Sequence, residues 1–150
     1  MLTEAATAFT ELKEQLIEAI ETETAVKLFA ARNMPQASET QRAERQTAIQ
    51  FALRARADVP LEVMRLCATA LRHAETVAER SSRAASSDVE LAVALLRAAF
   101  DGARTNLEMK LSSLTDPSYI GAVVDEIAHL ADQAAASAQL AESSARRPSA

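Results

Sequence analysis

Residues 87–114, SDVELAVALLRAAFDGARTNLEMKLSSL, decide the fold. Val89, Val93, Leu96, Phe100, Ala103, Leu107, Leu111 and Leu114 recur at steps of three and four, the spacing that gathers side chains on one face of an α-helix. Ser87-Asp88-Val89-Glu90 reads as a capping box opening that helix. About 28 residues at 1.5 Å each make it roughly 40 Å long. Alternation with period two is absent, so the stripe calls for helical partners rather than a sheet.

Working outward, the rest of the chain has the same texture. It is 150 residues long and 49% hydrophobic, with 3% aromatic residues, no tryptophan and two glycines. Alanine fills about one position in four or five and is the best helix former. Two glycines are too few for a Rossmann fold, a P-loop or an all-β domain, each of which needs glycine where the backbone turns at positive φ or meets a phosphate. The expectation is all-α: an antiparallel bundle of about five long helices in one domain over residues 1–142, with a disordered tail over 143–150.

Proline and capping residues set the expected boundaries. The first helix runs from about Thr3 to Asn33, with Ala5, Phe9, Leu12, Leu16 and Ile20 on one face, and ends before Pro35. Ser38-Glu39-Thr40-Gln41 is a capping box for a second helix, to about Ala57. Asp58-Val59-Pro60 should break it, with Pro60 opening a third helix that buries Leu61, Met64, Cys67 or Ala68, Leu71, Ala74 and Val77. Asp116-Pro117 opens the fifth, whose apolar face carries Ile120, Val123 or Val124, Ile127 and Leu130. Helices this long leave more apolar surface than one small bundle covers, which predicts self-association.

The net charge of −5 and isoelectric point near 5.1 argue against a nucleic-acid or anionic-membrane surface. Cys67 alone makes no intrachain disulfide, and His73 and His129 have no second ligand at metal spacing. No signal peptide or membrane span is legible, so the expected compartment is the cytoplasm.

Several pieces then fall in a telling order. Met34-Pro35 is followed by Arg45-Gln46-Thr47-Ala48-Ile49-Gln50-Phe51-Ala52-Leu53, Asp58-Val59-Pro60-Leu61, Ser87-Asp88, Asn106 and Leu114-Thr115-Asp116. The ordered set, over about Leu16 to Leu130, resembles the folate cyclodeaminase/cyclohydrolase family. The resemblance implies an all-helical homodimer that binds a reduced folate at a helical interface, without metal or redox cofactor. Members close formiminotetrahydrofolate to methenyltetrahydrofolate with loss of ammonia, or add water to methenyltetrahydrofolate to give the formyl form. Carried over, it implies Glu21 and Asp88 as proton-transfer groups and Arg45 and Asn106 as folate-binding groups.

Each has a plainer reading beside it. Glu21 is one of several helix carboxylates, and Asp88 suits a helix start by charge alone. Arg45 could pair with Gln41 or Glu44, and Asn106 could make an interhelical hydrogen bond. The family's Pro-Gly-Gly-Gly turn would lie upstream of this chain's start, its Gly-Asn-x-Asn connection is Ser81-Ser82-Arg83-Ala84 here, and its second asparagine is Lys110. An alternative expectation follows, a shortened, non-catalytic homologue acting as a helical dimerisation or binding module.

Overall fold

A computed structural model describes the backbone of residues 2–21, 24–80, 82 and 85–146, and the side chains within them except those of 2, 5, 16–21, 24 and 25. The described residues form five helices: α1 Leu2–Glu21, α2 Thr24–Arg32, α3 Glu39–Arg80, α4 Ser86–Leu111 and α5 Pro117–Ala145. α3 is the hub and touches the other four. Arg54, Asp58 and Arg65 of α3 meet Asp116, Tyr119 and Glu126 of α5 in the same order, so these two helices run parallel and α4 runs back between them.

The core is the seam of α3, α4 and α5. Met64, Cys67, Leu71, Val93 and Leu107 are the largest fully buried side chains. Alanines fill the space between them, among them Ala57, Ala68, Ala74, Ala103, Ala138 and Ala141. Small side chains let the axes approach closely, and larger ones there would force the helices apart. The expected stripe of α4 is the buried one, with Leu96 at its half-exposed edge. α1 lies on the C-terminal half of α3, with Leu12 against Leu66 and Ala70, and Phe9 edge-to-face with His73.

Among the described residues five helices are present, but divided differently from expectation. The stretch from Thr3 to Asn33 contains α1 and α2, with residues 22 and 23 outside the described residues. The break at Asp58-Val59-Pro60 does not occur: α3 runs 42 residues straight through Pro60. Burial overrides the proline. Ala57, Pro60, Leu61 and Met64 all lie in the core, so ending the helix there would expose its central contacts. Asp58 is also used elsewhere, accepting the Tyr119 hydroxyl at 2.6 Å rather than capping.

Two capping expectations hold and one fails. Gln41 N donates to Ser38 Oγ at 3.2 Å, and Ser38 N donates back to Gln41 Oε1 at 3.2 Å. Asp116 caps α5 by accepting from Ser118 N and Tyr119 N, with Pro117 in the first turn. The box at Ser87–Glu90 does not form. α4 starts at Ser86 with Ala85 as cap and no side-chain bond, and Glu90 takes Arg146 at 3.2 Å instead. α5 continues to Ala145, inside the stretch expected to be tail.

Candidate functional site

The polar residues of the family-like stretch converge where α3 passes the α4–α5 connection. Gln50 spans that connection with both ends of its amide. Its Oε1 accepts Thr115 N at 3.0 Å, and its Nε2 donates to Ser113 O at 3.4 Å. One turn on, Arg54 pairs with Asp116 and lies 4.4 Å over the Tyr119 ring. The Tyr119 phenol, pushed well above its ordinary pKa by burial and by its bond to the Asp58 carboxylate, stays a hydrogen-bond donor. A cap, an ion pair and a cation–π contact thus hold one corner of the bundle.

This corner opens into a cleft of about 420 Å³ lined by Gln46, Thr47, Gln50, Phe51, Arg54, Thr115 and Asp116. Thr47 and Phe51 also line a broader, mostly apolar groove of about 790 Å³ between α2 and α3, with Ala31, Met34, Ala48 and Lys27 around it. Phe51 stands 69% exposed at the junction, and Phe29 of α2 is 71% exposed. The groove and the cleft meet at their shared residues, Thr47 and Phe51, giving a surface channel that is apolar on the α2–α3 side and polar at the Gln50–Asp116 end. That is the usual composition of a site for a flat, partly aromatic ligand with polar groups at its rim.

The residues singled out from the sequence are scattered around the fold. Arg45 donates from Nε and Nη2 to the Arg32 carbonyl, at 3.1 and 3.0 Å. It ties the C-terminal end of α2 to α3 and so frames the groove, rather than pairing with Gln41 or Glu44. Asn106 is exposed on α4, one turn before Lys110, whose ammonium is pushed down by burial and by the charge of Arg56. Asp88 is exposed in the first turn of α4, beside a small apolar cleft lined by Phe9, Ala74, Val77 and Val89. It lies 18 positions, about 27 Å, from Asn106 along the same helix. Glu21 ends α1, and its side chain lies outside the described residues.

Sequence reasoning gave Gln50, Arg54 and Asp116 no joint role. Gln50 was visible only as part of a motif, and Asp116 as the end of another and the opening of the fifth helix. A usable signal was the four-residue step from Gln50 to Arg54, which puts both on one face of α3. His129 sits on the surface against Gln133, and Cys67 is a buried thiol pushed up to about 11 by loss of solvent.

Comparison with known proteins agrees with this geometry at the level of the fold. The chain is similar over 95% of its length to the crystal structure of formiminotetrahydrofolate cyclodeaminase from Thermotoga maritima, with a TM-score of 0.67 and 23% identity. It spans 64% of that relative's length. No protein of curated function matches. The family model described as Formiminotransferase-cyclodeaminase matches residues 1–129, most of the chain. The chain therefore belongs to the formiminotransferase-cyclodeaminase family.

Proposed function

We propose that the chain binds a tetrahydrofolate derivative carrying a one-carbon group and acts on its carbon–nitrogen bridge in the cytoplasm, as a formiminotetrahydrofolate cyclodeaminase or a methenyltetrahydrofolate cyclohydrolase. One observation carries the reading: the channel that runs from the apolar α2–α3 groove past Phe51 to Gln50, Arg54 and Asp116. A folate has matching parts, a flat aromatic ring system and a carboxylate-bearing tail. Phe51 offers an exposed ring for stacking, and Arg54 and Lys27 offer positive charge for carboxylates. Arg45 acts in this reading by fixing α2 over the groove.

Either reaction needs groups that move protons at the bridge carbon and hold the charge that develops there. Glu21 and Asp88 are proposed for proton transfer and Asn106 as a donor to the ligand; Asp88 stands at the opposite end of α4 from the channel, so in this reading it reaches a folate there only when a second copy of the chain brings it. Closure of a formimino group forms the second ring nitrogen's bond to carbon and releases ammonia. Hydration adds water to the bridge carbon and opens one carbon–nitrogen bond. Both are completed without electron transfer.

The separation of Asp88 from Asn106 supports a second reading, a non-catalytic dimerisation or binding module that keeps the ligand groove. Calorimetric titration with formyltetrahydrofolate tests the shared part of both. Micromolar binding that Phe51→Ser weakens about tenfold or more is the expected result. Equal binding by wild type and Phe51→Ser would remove the channel from the account, and no binding would remove the folate.

A further inference from the structure

α1 covers only part of the valley between α3 and α4. Phe9 lies edge-to-face with His73, and Leu12 packs on Leu66 and Ala70, with Leu96 of α4 against the same cluster. Rising α1 numbers meet falling α3 numbers, so α1 runs antiparallel to α3 and its last turn comes level with about residue 60. The valley continues past that point. On α3, Arg56 and Val63 precede Ala70 at steps of seven, which keeps all three on one line of the helix. On α4, Ala103 and Lys110 follow Leu96 at the same step, and Asn106 stands one turn before Lys110. A floor that is apolar under α1 turns cationic beyond it.

The two cations feel each other. Both are half-buried, and the Lys110 ammonium is pushed below its usual range by burial and by the charge of Arg56. Among the described residues neither pairs with a carboxylate, whereas Arg54, Arg65, Arg97, Arg104 and Arg146 each hold one. A chain with 21 acidic and 16 basic residues is not short of carboxylates. Like charges set side by side and half out of water are a cost that an anion from elsewhere would offset. Asn106, exposed beside Lys110, adds an amide that can donate to it.

We propose that Arg56, Asn106 and Lys110 form a binding site for a small oxyanion, a carboxylate or a phosphate group, in the valley beyond the end of α1. The guanidinium supplies a two-pronged donor, the ammonium a point charge and the amide a neutral donor, a set that carboxylate and phosphate oxygens share as acceptors. The site is separate from the channel. Arg54 faces α5, and Arg56, two positions on, lies about 200° further around α3. None of the three residues lines the channel, so the site is independent of the folate reading. With a net charge of −5, the chain does not gather anions by its overall field.

Calorimetric titration of the full chain at low ionic strength, with inorganic phosphate and separately with glutarate, is the test. At least one probe should saturate a single site with a Kd on the order of 1 mM. Lys110→Gln and Arg56→Gln should each weaken that binding about tenfold or more, Lys110→Arg should largely keep it, and Arg42→Gln, at an exposed position early in α3, should leave it unchanged. Saturation by phosphate alone assigns the site to a phosphate group, and by glutarate alone to a carboxylate; either supports the proposal. No saturable binding of either probe overturns it, as does binding undiminished in both glutamine variants. Glu21 closes α1 at about the same level, so Glu21→Gln is a further arm. Binding that appears only in that variant makes Glu21 the counter-ion and overturns the external site. Should the glutamine variants fail to fold, acetylation of wild type read by mass spectrometry decides. The saturating probe should slow modification of Lys110 about threefold or more and leave Lys13 on α1 unaffected, and equal slowing at both counts against the site.

Discussion

Gln50 illustrates what a single side chain does in this fold. Two backbone groups of the α4–α5 connection, Thr115 N–H and Ser113 C=O, are satisfied by one amide. Leucine there removes both partners at once, and we expect a loss of about 1–2 kcal/mol in stability by urea unfolding. Glutamate keeps an acceptor for Thr115 but loses the donor to Ser113, and should cost less. Cys67 makes an opposite kind of prediction. Burial holds its thiol near 11, so at pH 8 it should react with Ellman's reagent only after unfolding, far more slowly than a free thiol. Prompt reaction of the folded protein would contradict its place in the core. At this scale the sequence was only partly readable. The Arg45 motif drew notice to a guanidinium fork, and forks suit carboxylates, but the acceptor turned out to be the carbonyl of Arg32 thirteen residues earlier. Nothing local to Arg45 names that partner, because tertiary packing of α2 brings it there.

The helices show which local signals survive packing. Pro60 gives up one hydrogen bond to the preceding turn inside a buried stretch of α3, and the core tolerates it because its neighbours Ala57, Leu61 and Met64 are fully engaged. Pro60→Ala restores the missing donor, and we expect it to raise stability by about 1 kcal/mol, read as a higher urea midpoint. A fall would mean that the ring's own packing outweighs the hydrogen bond. The capping boxes show the same competition. Ser38–Gln41 forms with partners close in sequence, Gln41 Oε1 accepting from both Ala37 N and Ser38 N, while Glu90 of the second box is taken by Arg146 just past α5. Between α3 and α5, Arg65 grips Glu126 with two hydrogen bonds, at 2.6 and 2.9 Å, which hold the Glu126 carboxyl below the usual carboxylate range. A depressed carboxylate stabilises the fold above its unfolded value, about 4.3, and that contribution disappears as pH falls through the lower folded value. Glu126→Gln should therefore cost about 1 kcal/mol at neutral pH, given its partial exposure. The gap to wild type should close in acid below pH 4. Apolar periodicity was readable for α3, α4 and α5 because each buries a continuous stripe. The boundaries were not, since Pro60 and the Ser87 box are decided by contacts with distant helices.

For the molecule as a whole, the fold follows from long alanine-rich helices meeting at one seam, and the family follows from the match over residues 1–129. The channel from the α2–α3 groove to Arg54 could not be read from sequence, because it needs α2 folded back over α3 and the α4–α5 connection held against Gln50. Two glycines, first a mark of an all-helical chain, lie on α4 and α5 with open space at both. The central claim is that this chain acts on the one-carbon bridge of a folate through that channel. Its most direct test is to incubate the full chain with formiminotetrahydrofolate, and separately with methenyltetrahydrofolate, following methenyl absorbance and ammonia. The account predicts methenyl formation with matching ammonia release in the first case, or faster loss of methenyl absorbance in the second. Whichever activity is seen should fall at least about tenfold in Phe51→Ser and in Arg54→Ala. Rates equal to buffer with both substrates, or full activity in both variants, would contradict it.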